Sequence, residues 1–273
     1  MGAELLHGWF PENRYFPYLT SPDVAALEDK ENTVILLPVA AIEQHGAHLP
    51  LAVDTAIVCG VLGQALHRLD AATPCFVLPP LCYGKSNEHI HFPGTLTLDA
   101  VTLLQTVMQL GASVYRAGFR KLAIVNSHGG QPEVMAIAAR DLRIAQAGLT
   151  VFSTFLWAVP NRRQDLFPER ERLGGLHAGG DETSVLLHLL PQQVKLERAQ
   201  AHYAPDSGGW LAPEGGLAYA WKTDDIAPGG VLGDPFLASV EKGRELVDSM
   251  AASWVTLIRE MHAFRQPTFP IRT

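Results

Sequence analysis

A short polar segment in the first quarter of the chain concentrates side chains that can bind a metal ion. It directly follows the apolar run Thr33–Val39, which is rich in β-branched residues and leucine and is typical of a buried parallel strand. The loop after such a strand opens at the carboxyl edge of the sheet, where open α/β folds bind their ligands. Carboxylate oxygens and imidazole nitrogens together suit Zn²⁺, Mn²⁺ or Fe²⁺. The four side chains concerned lie within twelve residues: Glu43, His45, His48 and Asp54.

A second polar cluster surrounds His128. The sequence Asn-Ser-His-Gly-Gly, which ends at Gly130, directly follows another strand-like run, Lys121–Asn126. Gly129 and Gly130 let the backbone approach a metal or a substrate, and their amides can donate to a developing oxyanion. The pattern therefore predicts that His128 faces the same edge of the sheet as the first cluster.

A third cluster opens a predicted helix over Gly180–Leu190. His177 lies in a glycine-rich stretch just before it, and Asp181 and Glu182 lie on its first turn. A carboxylate in that place can stabilise the helix dipole or coordinate a metal. We expect one of the two acidic residues to cap the helix while the other coordinates.

Two more histidines, His89 and His91, alternate in the predicted extended segment Asn87–Thr95. Because their side chains point to opposite sides, only one needs to face the site. For His91 we favour a structural role, or a hydrogen bond to a metal ligand, over direct coordination. The other histidines stand alone in helical or loop contexts and indicate no site: His7, His67, His188, His202 and His262.

The clusters together supply three carboxylates and two imidazoles, one ligand more than a single tetrahedral metal needs. A bridging aspartate with one histidine and one glutamate on each side would fill two adjacent sites. Two metals about 3.5–4 Å apart would activate a metal-bridged hydroxide for attack on a carbonyl. Asp54 also stands at the predicted N-cap of the helix Thr55–Leu69, so capping competes with metal binding there. The predicted ligands are Glu43, His45, Asp54, His128 and Glu182.

Strand-like and helical segments alternate over most of the chain, which predicts a mainly parallel sheet covered by helices on both faces. The alternation of strands and helices is interrupted by two long segments, Leu156–Gly180 and His202–Gly233. Loops of that length are typical of lids, binding loops or subunit contacts. The further predicted elements are strands at Cys75–Leu78 and Thr150–Phe155, helices at Leu98–Ala117 and Pro132–Ala147, and a long helix or a pair of helices at Pro235–Phe264.

Composition narrows the function classes. The 273 residues suit one α/β domain over residues 1–273, and 47% apolar residues allow a sizeable core. A net charge of −7 without a lysine or arginine run argues against a nucleic-acid or anionic-membrane surface. Met1–Pro17 has no apolar core typical of a signal peptide, and no apolar run reaches membrane-spanning length, so we expect a cytoplasmic protein. The three cysteines are interpreted as buried, reduced side chains: Cys59, Cys75 and Cys82.

The motifs, in this order, resemble the creatininase (creatinine amidohydrolase) family over nearly the whole chain. The resemblance implies a three-layer α/β/α sandwich with a mainly parallel sheet, and homohexamers built as trimers of dimers. It also implies two divalent metal ions per subunit, with Zn²⁺ expected first and Mn²⁺ or Fe²⁺ as alternatives. The matching stretches are Leu37–Gly46, Asp54, His91–Thr95, Asn126–Gly130, His177–Ser184, Gly230–Pro235 and Glu241–Gly243.

The same resemblance assigns roles to individual residues. Glu43 and His128 would hold one metal, His45 and Glu182 the other, and Asp54 would bridge both. A further position, His177, matches the residue expected to shuttle a proton to the leaving nitrogen. The aromatic lid over the substrate would be Trp157, with Gly129 and Gly130 beside it.

The chain departs from creatininase itself at the substrate pocket. Gly129 and Gly130 stand where creatininase has Tyr and Glu after its metal histidine, and Leu173 stands where it has a second Trp. Other branches of the family share the two glycines and act on formamides, on the C-terminal dipeptide of a cofactor-precursor peptide, or on a cyclic inositol-derived ketone.

These observations favour a divalent-metal amidohydrolase that cleaves a C–N bond in a small cyclic or formylated amide. The alternatives are a peptidase that trims a short cofactor-precursor peptide, and a true creatinine amidohydrolase. A metal-binding structural or sensor protein is the non-enzyme alternative. Metal content and turnover of simple formamides distinguish these hypotheses.

Overall fold

A parallel sheet forms the centre of the protein, which a computed structural model describes for residues 6–267. Its strands lie in the order β2-β1-β3-β4, and every neighbouring pair is parallel. Val39, Asn126 and Phe155 are in register at the carboxyl ends, so the loops after these three strands leave the sheet at one edge. The strands are β1 (Val34–Val39), β2 (Cys75–Val77), β3 (Lys121–Asn126) and β4 (Thr150–Phe155).

Helices connect the strands and cover both faces of the sheet. The α-helices are α1 (Ser21–Ala26), α2 (Val53–Arg68), α3 (Ala100–Arg116), α4 (Pro132–Ala145), α5 (Arg163–Leu166), α6 (Glu169–Gly174), α7 (Gly180–Leu189), α8 (Thr223–Ile226) and α9 (Val240–Ala263). Short 3-10 turns lie at Glu12–Arg14, Phe16–Tyr18, Asn87–His89, Leu156–Ala158, Pro191–Gln193, Leu196–Arg198 and Pro235–Leu237.

Both faces of β1 are buried, as expected for a central parallel strand. Val34 and Leu36 belong to an apolar cluster with α2, α7 and α9, which includes the fully buried Trp254. Ile35 and Leu37 belong to a second cluster on the opposite face, with α3 and α4. The predicted three-layer α/β/α architecture is thereby confirmed.

The predicted strands and long helices are present with bounds shifted by one to a few residues. Capping, the alternative to metal binding for Asp54, is excluded, because α2 begins at Val53 and its N-cap is Ala52, which makes no side-chain hydrogen bond. The amide of Ala56 donates to the Ala52 carbonyl at 2.9 Å, so the first turn starts earlier than the sequence pattern suggests. Asp54 therefore lies within the first turn with a buried side chain.

The C-terminal segment forms one long helix rather than a pair. Ser239 caps α9 by accepting from the amide of Lys242 at 3.2 Å, while the preceding residues make the separate 3-10 turn Pro235–Leu237. Residues 1–5 of the segment Met1–Pro17 lie outside the described residues, as do residues 268–273. Within residues 6–267, no helix is long and apolar enough to cross a membrane.

The two irregular segments differ in structure. Leu156–Gly180 contains two short helices, α5 and α6, whereas His202–Gly233 contains α8 as its one α-helix. The second segment returns to the core next to the third polar cluster, since Leu232 pairs with His177 and Gly233 pairs with His202. The cysteines are free, and Cys82 is the least buried of the three.

Candidate metal centre

Five side chains from four segments meet at the carboxyl edge of the sheet. Two lie in the loop after β1, one in the loop after β3, and one each on the first turns of α2 and α7. Four are buried, and the fifth, Glu182, has 16% of its side chain exposed. All five were predicted from the sequence: Glu43, His45, His128, Asp54 and Glu182.

Asp54 lies between the two predicted histidine ligands. Its Oδ2 atom is 3.3 Å from Nδ1 of His128, and its Oδ1 atom is 3.8 Å from Nε2 of His45. Each carboxylate oxygen thus faces a different imidazole, which is the arrangement that a bridging carboxylate requires.

One glutamate accompanies each of these histidines. Oε2 of Glu43 lies 3.2 Å from Nδ1 of His128 and also accepts from the hydroxyl of Ser86. On the other side, Oε2 of Glu182 lies 4.0 Å from Nε2 of His45. The ligand atoms consequently form two groups that share Asp54, and each group is compact enough to surround one ion.

Burial and mutual repulsion disfavour ionisation of two carboxylates in this cluster, those of Asp54 and Glu182. Burial and the nearby carboxylate of Glu43 together raise the pKa of Asp54 to about 6. Burial also raises the pKa of Glu182 well above its usual range, with contributions from Asp181 and Asp54. Burial lowers the pKa of His128, but the charge of Glu43 and the close carboxylates of Asp54 and Glu88 outweigh it and hold this pKa high.

Two buried polar atoms in the centre have no hydrogen-bond partner among residues 6–267: Nε2 of His45 and Oδ2 of Asp54. Buried polar atoms are normally satisfied, so each such atom needs an explanation. Both atoms point into the cluster of oxygen and nitrogen donors that hard and borderline divalent cations prefer. The residues present therefore fit a divalent metal centre.

Asp181 and Glu182 are neighbours with different surroundings. Nε of Arg163 donates to Oδ2 of Asp181 at 2.5 Å, which holds this carboxylate away from His45. Glu182 instead accepts from the amide of Ala178 at 2.7 Å and faces the centre. Ala178 has a φ of 56° and is the one non-glycine residue with positive φ in the described part of the chain.

His177 is the predicted proton shuttle, and its ring is buried between two other imidazoles. Its centroid lies 4.2 Å from the ring centroids of both His45 and His89. Nε2 lies 2.7 Å from the carbonyl oxygen of Gln44, while Nδ1 lies 3.7 Å from Oε1 of Glu43. Burial lowers the pKa of His177 to about 4, so the ring is neutral at pH 7 without a metal.

The predicted substrate-side residues lie around this centre in different environments. Gly129 is exposed, whereas Gly130 is partly buried against Glu88. Trp157 follows β4 and packs, half-buried, against the larger apolar cluster. Leu173 is 75% exposed and so contributes no wall to a buried pocket.

Some histidines of the polar segments lie outside the five-residue cluster. His48 is buried, and its Nε2 lies 3.0 Å from the Thr183 hydroxyl. His91 is exposed and pairs with Asp224 at 2.9 Å, in agreement with the structural role that the sequence favours.

Four residues outside the predicted ligand set pack directly around the centre; the sequence had indicated only that His89 or His91 could face it. Their positions in loops after β1 and β2, at the carboxyl edge, are the one sequence signal that could have identified them. Nε2 of His89 lies 3.7 Å from Glu43, and Nε2 of Gln44 lies 2.8 Å from Nδ1 of the same His89. The four residues are Gln44, Ser86, Glu88 and His89.

The comparisons with known proteins agree with this geometry. A family model described as creatinine amidohydrolase matches residues 17–258. The mycofactocin precursor peptide peptidase of Mycobacterium ulcerans is 35% identical over 233 residues, which cover 82% of this chain and 84% of that protein. The creatinine amidohydrolase of Pseudomonas putida is 35% identical over 185 residues, which cover 62% of this chain and 69% of the relative.

A solved structure described as a manganese creatininase superposes with a TM-score of 0.72 at 29% sequence identity. The superposition covers 90% of this chain and 98% of that one. Sequence motifs, sheet topology and family match agree over most of the chain, and the protein belongs to the creatininase family of amidohydrolases.

Proposed function

We propose that this protein is a divalent-metal-dependent amidohydrolase that cleaves a C–N bond in a small cyclic or formylated amide. The observation that carries the proposal is the position of Asp54, whose two oxygens face two different histidines. In this proposal Glu43 and His128 hold one ion, His45 and Glu182 hold the other, and Asp54 bridges them.

The ions would be Zn²⁺ first, with Mn²⁺ or Fe²⁺ as alternatives, because the donor set contains oxygen and nitrogen and no thiolate. Solved creatininases include a manganese form and a Zn-Zn form, which supports these two metals as candidates. Bound divalent cations would supply Lewis-acid polarisation of an amide carbonyl and would favour ionisation of a nearby water.

The protein side chains would orient the substrate and move the proton. His177 donates from Nε2 to the Gln44 carbonyl, so its Nδ1 is the atom available to take up a proton and deliver it to the leaving nitrogen. The exposed backbone at Gly129 and the neighbouring Gly130 would line the substrate side, and Trp157 would close over it. Nδ1 of His177 also lies near Glu43 and His45, so coordination by His177 is the alternative that must be tested.

A second candidate function is a peptidase that trims a short peptide. The observation that favours it is coverage: the mycobacterial peptidase aligns with 82% of this chain, against 62% for the creatinine amidohydrolase. The absence of a side chain at the exposed Gly129 leaves this rim open to a longer substrate, whereas Glu88 fills the space beside Gly130. Creatinine itself is disfavoured, since Gly129, Gly130 and Leu173 remove the polar and aromatic groups that creatininase has there.

Metal analysis and a substrate panel test the proposal. The purified protein should contain close to two divalent ions per subunit, and chelation should abolish hydrolysis until Zn²⁺ or Mn²⁺ is restored. The metal-loaded protein should be assayed on formamides, cyclic amides, creatinine and short peptides. Preferential release of a C-terminal dipeptide would favour the peptidase, and a kcat/KM for creatinine of about 10⁴ M⁻¹s⁻¹ or above would refute the non-creatinine assignment. A protein with no metal and no hydrolase activity would refute both enzyme candidates.

We also propose that the subunits assemble as a homo-oligomer, a hexamer built from three dimers. Exposed apolar side chains on the outer helices α3 and α4 support this assignment, with Val101 62%, Ile137 52% and Ile144 76% exposed. Native mass spectrometry should give six subunits, and a monomer at micromolar concentration would contradict the proposal.

A further inference from the structure

Glu88 lies behind the ring of His128, on the side away from Asp54. Oε1 of Glu88 is 3.0 Å from Nε2 of His128, while the opposite nitrogen, Nδ1, faces Glu43 and Asp54. The carbonyl oxygen of Lys85 also lies 3.0 Å from the same Nε2. Both neighbours of Nε2 are acceptors, so in the neutral, metal-binding form of the ring the proton belongs on Nε2 and the lone pair of Nδ1 points into the cluster.

A second set of contacts holds Glu88 in this place. Nζ of Lys85 donates to Oε2 of Glu88 at 3.0 Å and to the carbonyl oxygen of Gly130 at 2.9 Å. The side chain of Glu88 is only 12% exposed. The carboxylate is therefore fixed between the Lys85 ammonium group and the His128 imidazole, with its Oε1 atom 3.0 Å from Nε2 of His128.

The missing side chain at Gly130 makes room for this carboxylate. A Cβ atom on Gly130 would overlap Oε1 of Glu88 and would also approach Nε2 of His128. A Cβ atom on the adjacent Gly129 would meet nothing within 4 Å. A side chain at position 129 thus meets no steric obstacle, whereas position 130 must be glycine as long as Glu88 keeps its contact with His128.

We propose that Glu88 is a positioning residue that orients His128 for metal binding, and that Gly130 is required because Glu88 occupies the space beside it. The inference rests on the proposed metal centre and extends it to a residue with no assigned role. Acceptors placed at the far nitrogen of a ligating histidine, such as carboxylates and backbone carbonyls, fix its tautomer and ring orientation, and their loss weakens metal binding about 10–100-fold.

Three variants test the proposal with a matched control. Glu88→Ala removes the acceptor, Glu88→Gln keeps a neutral oxygen acceptor, and Gly130→Ala displaces the carboxylate from His128. Gly129→Ala is the control, since it adds the same methyl group to the neighbouring residue without a steric overlap. Circular dichroism and thermal unfolding establish that each variant is folded.

The readouts are metal stoichiometry at saturation, metal affinity by competition with a chelator, and the imidazole ¹⁵N spectrum of His128. We expect two ions per subunit in every variant. The affinity of one ion should fall about 10–100-fold in Glu88→Ala and Gly130→Ala, fall less in Glu88→Gln, and stay at the wild-type value in Gly129→Ala. The Nε2–H signal of His128 should shift in Glu88→Ala and Gly130→Ala.

Two results would overturn the inference while leaving the metal centre intact. Unchanged affinity in Glu88→Ala would show that Glu88 does not position His128, and loss of one whole ion at saturation would make Glu88 a ligand. A wild-type protein that binds no metal would instead refute the proposed function. In that case the spectrum of metal-free His128 still decides whether Glu88 orients the ring, because an unchanged Nε2–H signal in Glu88→Ala would overturn that role.

Discussion

The carbonyl oxygen of Gln44 lies 2.7 Å from Nε2 of His177. A carbonyl can only accept, so Nε2 carries the ring proton and Nδ1 carries the lone pair that faces Glu43. The side chain of Gln44 is oriented as well, because its Oε1 accepts from the amide of Gly46 at 2.8 Å. Its Nε2 is then the donor to the carbonyl of Gly230 at 3.0 Å and to Nδ1 of His89.

The defined tautomer of His177 leads to the first prediction. His177→Ala should lower turnover about 10²–10⁴-fold, the usual effect of removing a general acid or base. The metal content should stay close to the wild-type value, because the proposed ligands are untouched. Steady-state kinetics and elemental analysis on the same preparation measure both quantities.

The control for this variant is His67→Ala, which removes an exposed histidine on α2. It should retain wild-type turnover and metal content. If His177→Ala loses a metal ion while the control does not, His177 is a ligand and another group transfers the proton.

The shared position of Asp54 leads to a second prediction. Asp54→Ala should weaken the binding of both ions, whereas Glu182→Gln should weaken the binding of one, since Glu182 faces only His45. Metal titration followed by elemental analysis measures the two stoichiometries. Asp141→Asn, which changes an exposed carboxylate on α4, serves as the control. Equal losses in the Asp54 and Glu182 variants would contradict a bridging role.

The buried charge of Asp54 also predicts how the metal-free protein responds to pH. Burial and the neighbouring Glu43 raise the pKa of Asp54 to about 6, so the folded state binds this proton more tightly than the unfolded chain. This contribution favours folding at low pH and is lost as the pH rises through about 6. Asp54→Asn should therefore raise the free energy of unfolding at pH 8 by about 1–3 kcal/mol, since one pKa unit is worth about 1.4 kcal/mol.

The measurement is urea unfolding of chelator-treated protein at pH 5 and pH 8. The gain in the free energy of unfolding from Asp54→Asn should be larger at pH 8 than at pH 5. With Zn²⁺ present the variant should instead be less stable than the wild type, because the wild-type protein gains metal-binding energy that the variant lacks. A variant that is destabilised at pH 8 without metal would contradict the pKa assignment.

Glu171 supplies a prediction about stability. This buried carboxylate accepts from the amide of Gly180 at 2.6 Å, the hydroxyl of Tyr203 at 2.7 Å and the amide of Asp234 at 3.0 Å. It thereby joins the start of α7 to two loops of the irregular segments. Glu171→Ala leaves these donors unpaired and should lower the free energy of unfolding by about 3–5 kcal/mol.

Glu169→Ala is the matched control, since Glu169 is exposed on the same short helix. Its effect should stay within about 0.5 kcal/mol. Because Glu182 lies on α7, Glu171→Ala should also weaken metal binding by displacing the first turn of that helix. A Glu171→Ala protein as stable as Glu169→Ala would show that the three hydrogen bonds contribute little.

The sequence alone determined the layered α/β architecture and the five residues that meet in the centre. Central parallel strands such as β1 are buried on both faces, so their sequences are continuous apolar runs. The alternation of such runs with helical segments predicts the layered architecture. Polar residues placed directly after parallel strands must converge, because parallel strands end at one edge of the sheet. Glu43 and His128 could therefore be predicted to meet although they lie far apart in the chain.

Tertiary structure decided the details that depend on side-chain direction and on neighbours from distant segments. The start of α2 at Val53 decided between the capping and metal-binding alternatives for Asp54, because it places the side chain between two histidines. The choice between Asp181 and Glu182 depended on Arg163, which pairs with the first and leaves the second facing His45. The sequence around Asp181 and Glu182 does not predict that Arg163 pairs with Asp181.

The same reason explains why Glu88 and the tautomers of the histidines could not be predicted. The close contact between Glu88 and His128 joins two loops through space, and its geometry follows from packing rather than from spacing along the chain. The requirement for glycine at position 130, but not at position 129, likewise appears only when the neighbouring carboxylate is in place. Residue types thus predicted which chemistry the site can perform, and packing determined which atom of each residue faces it.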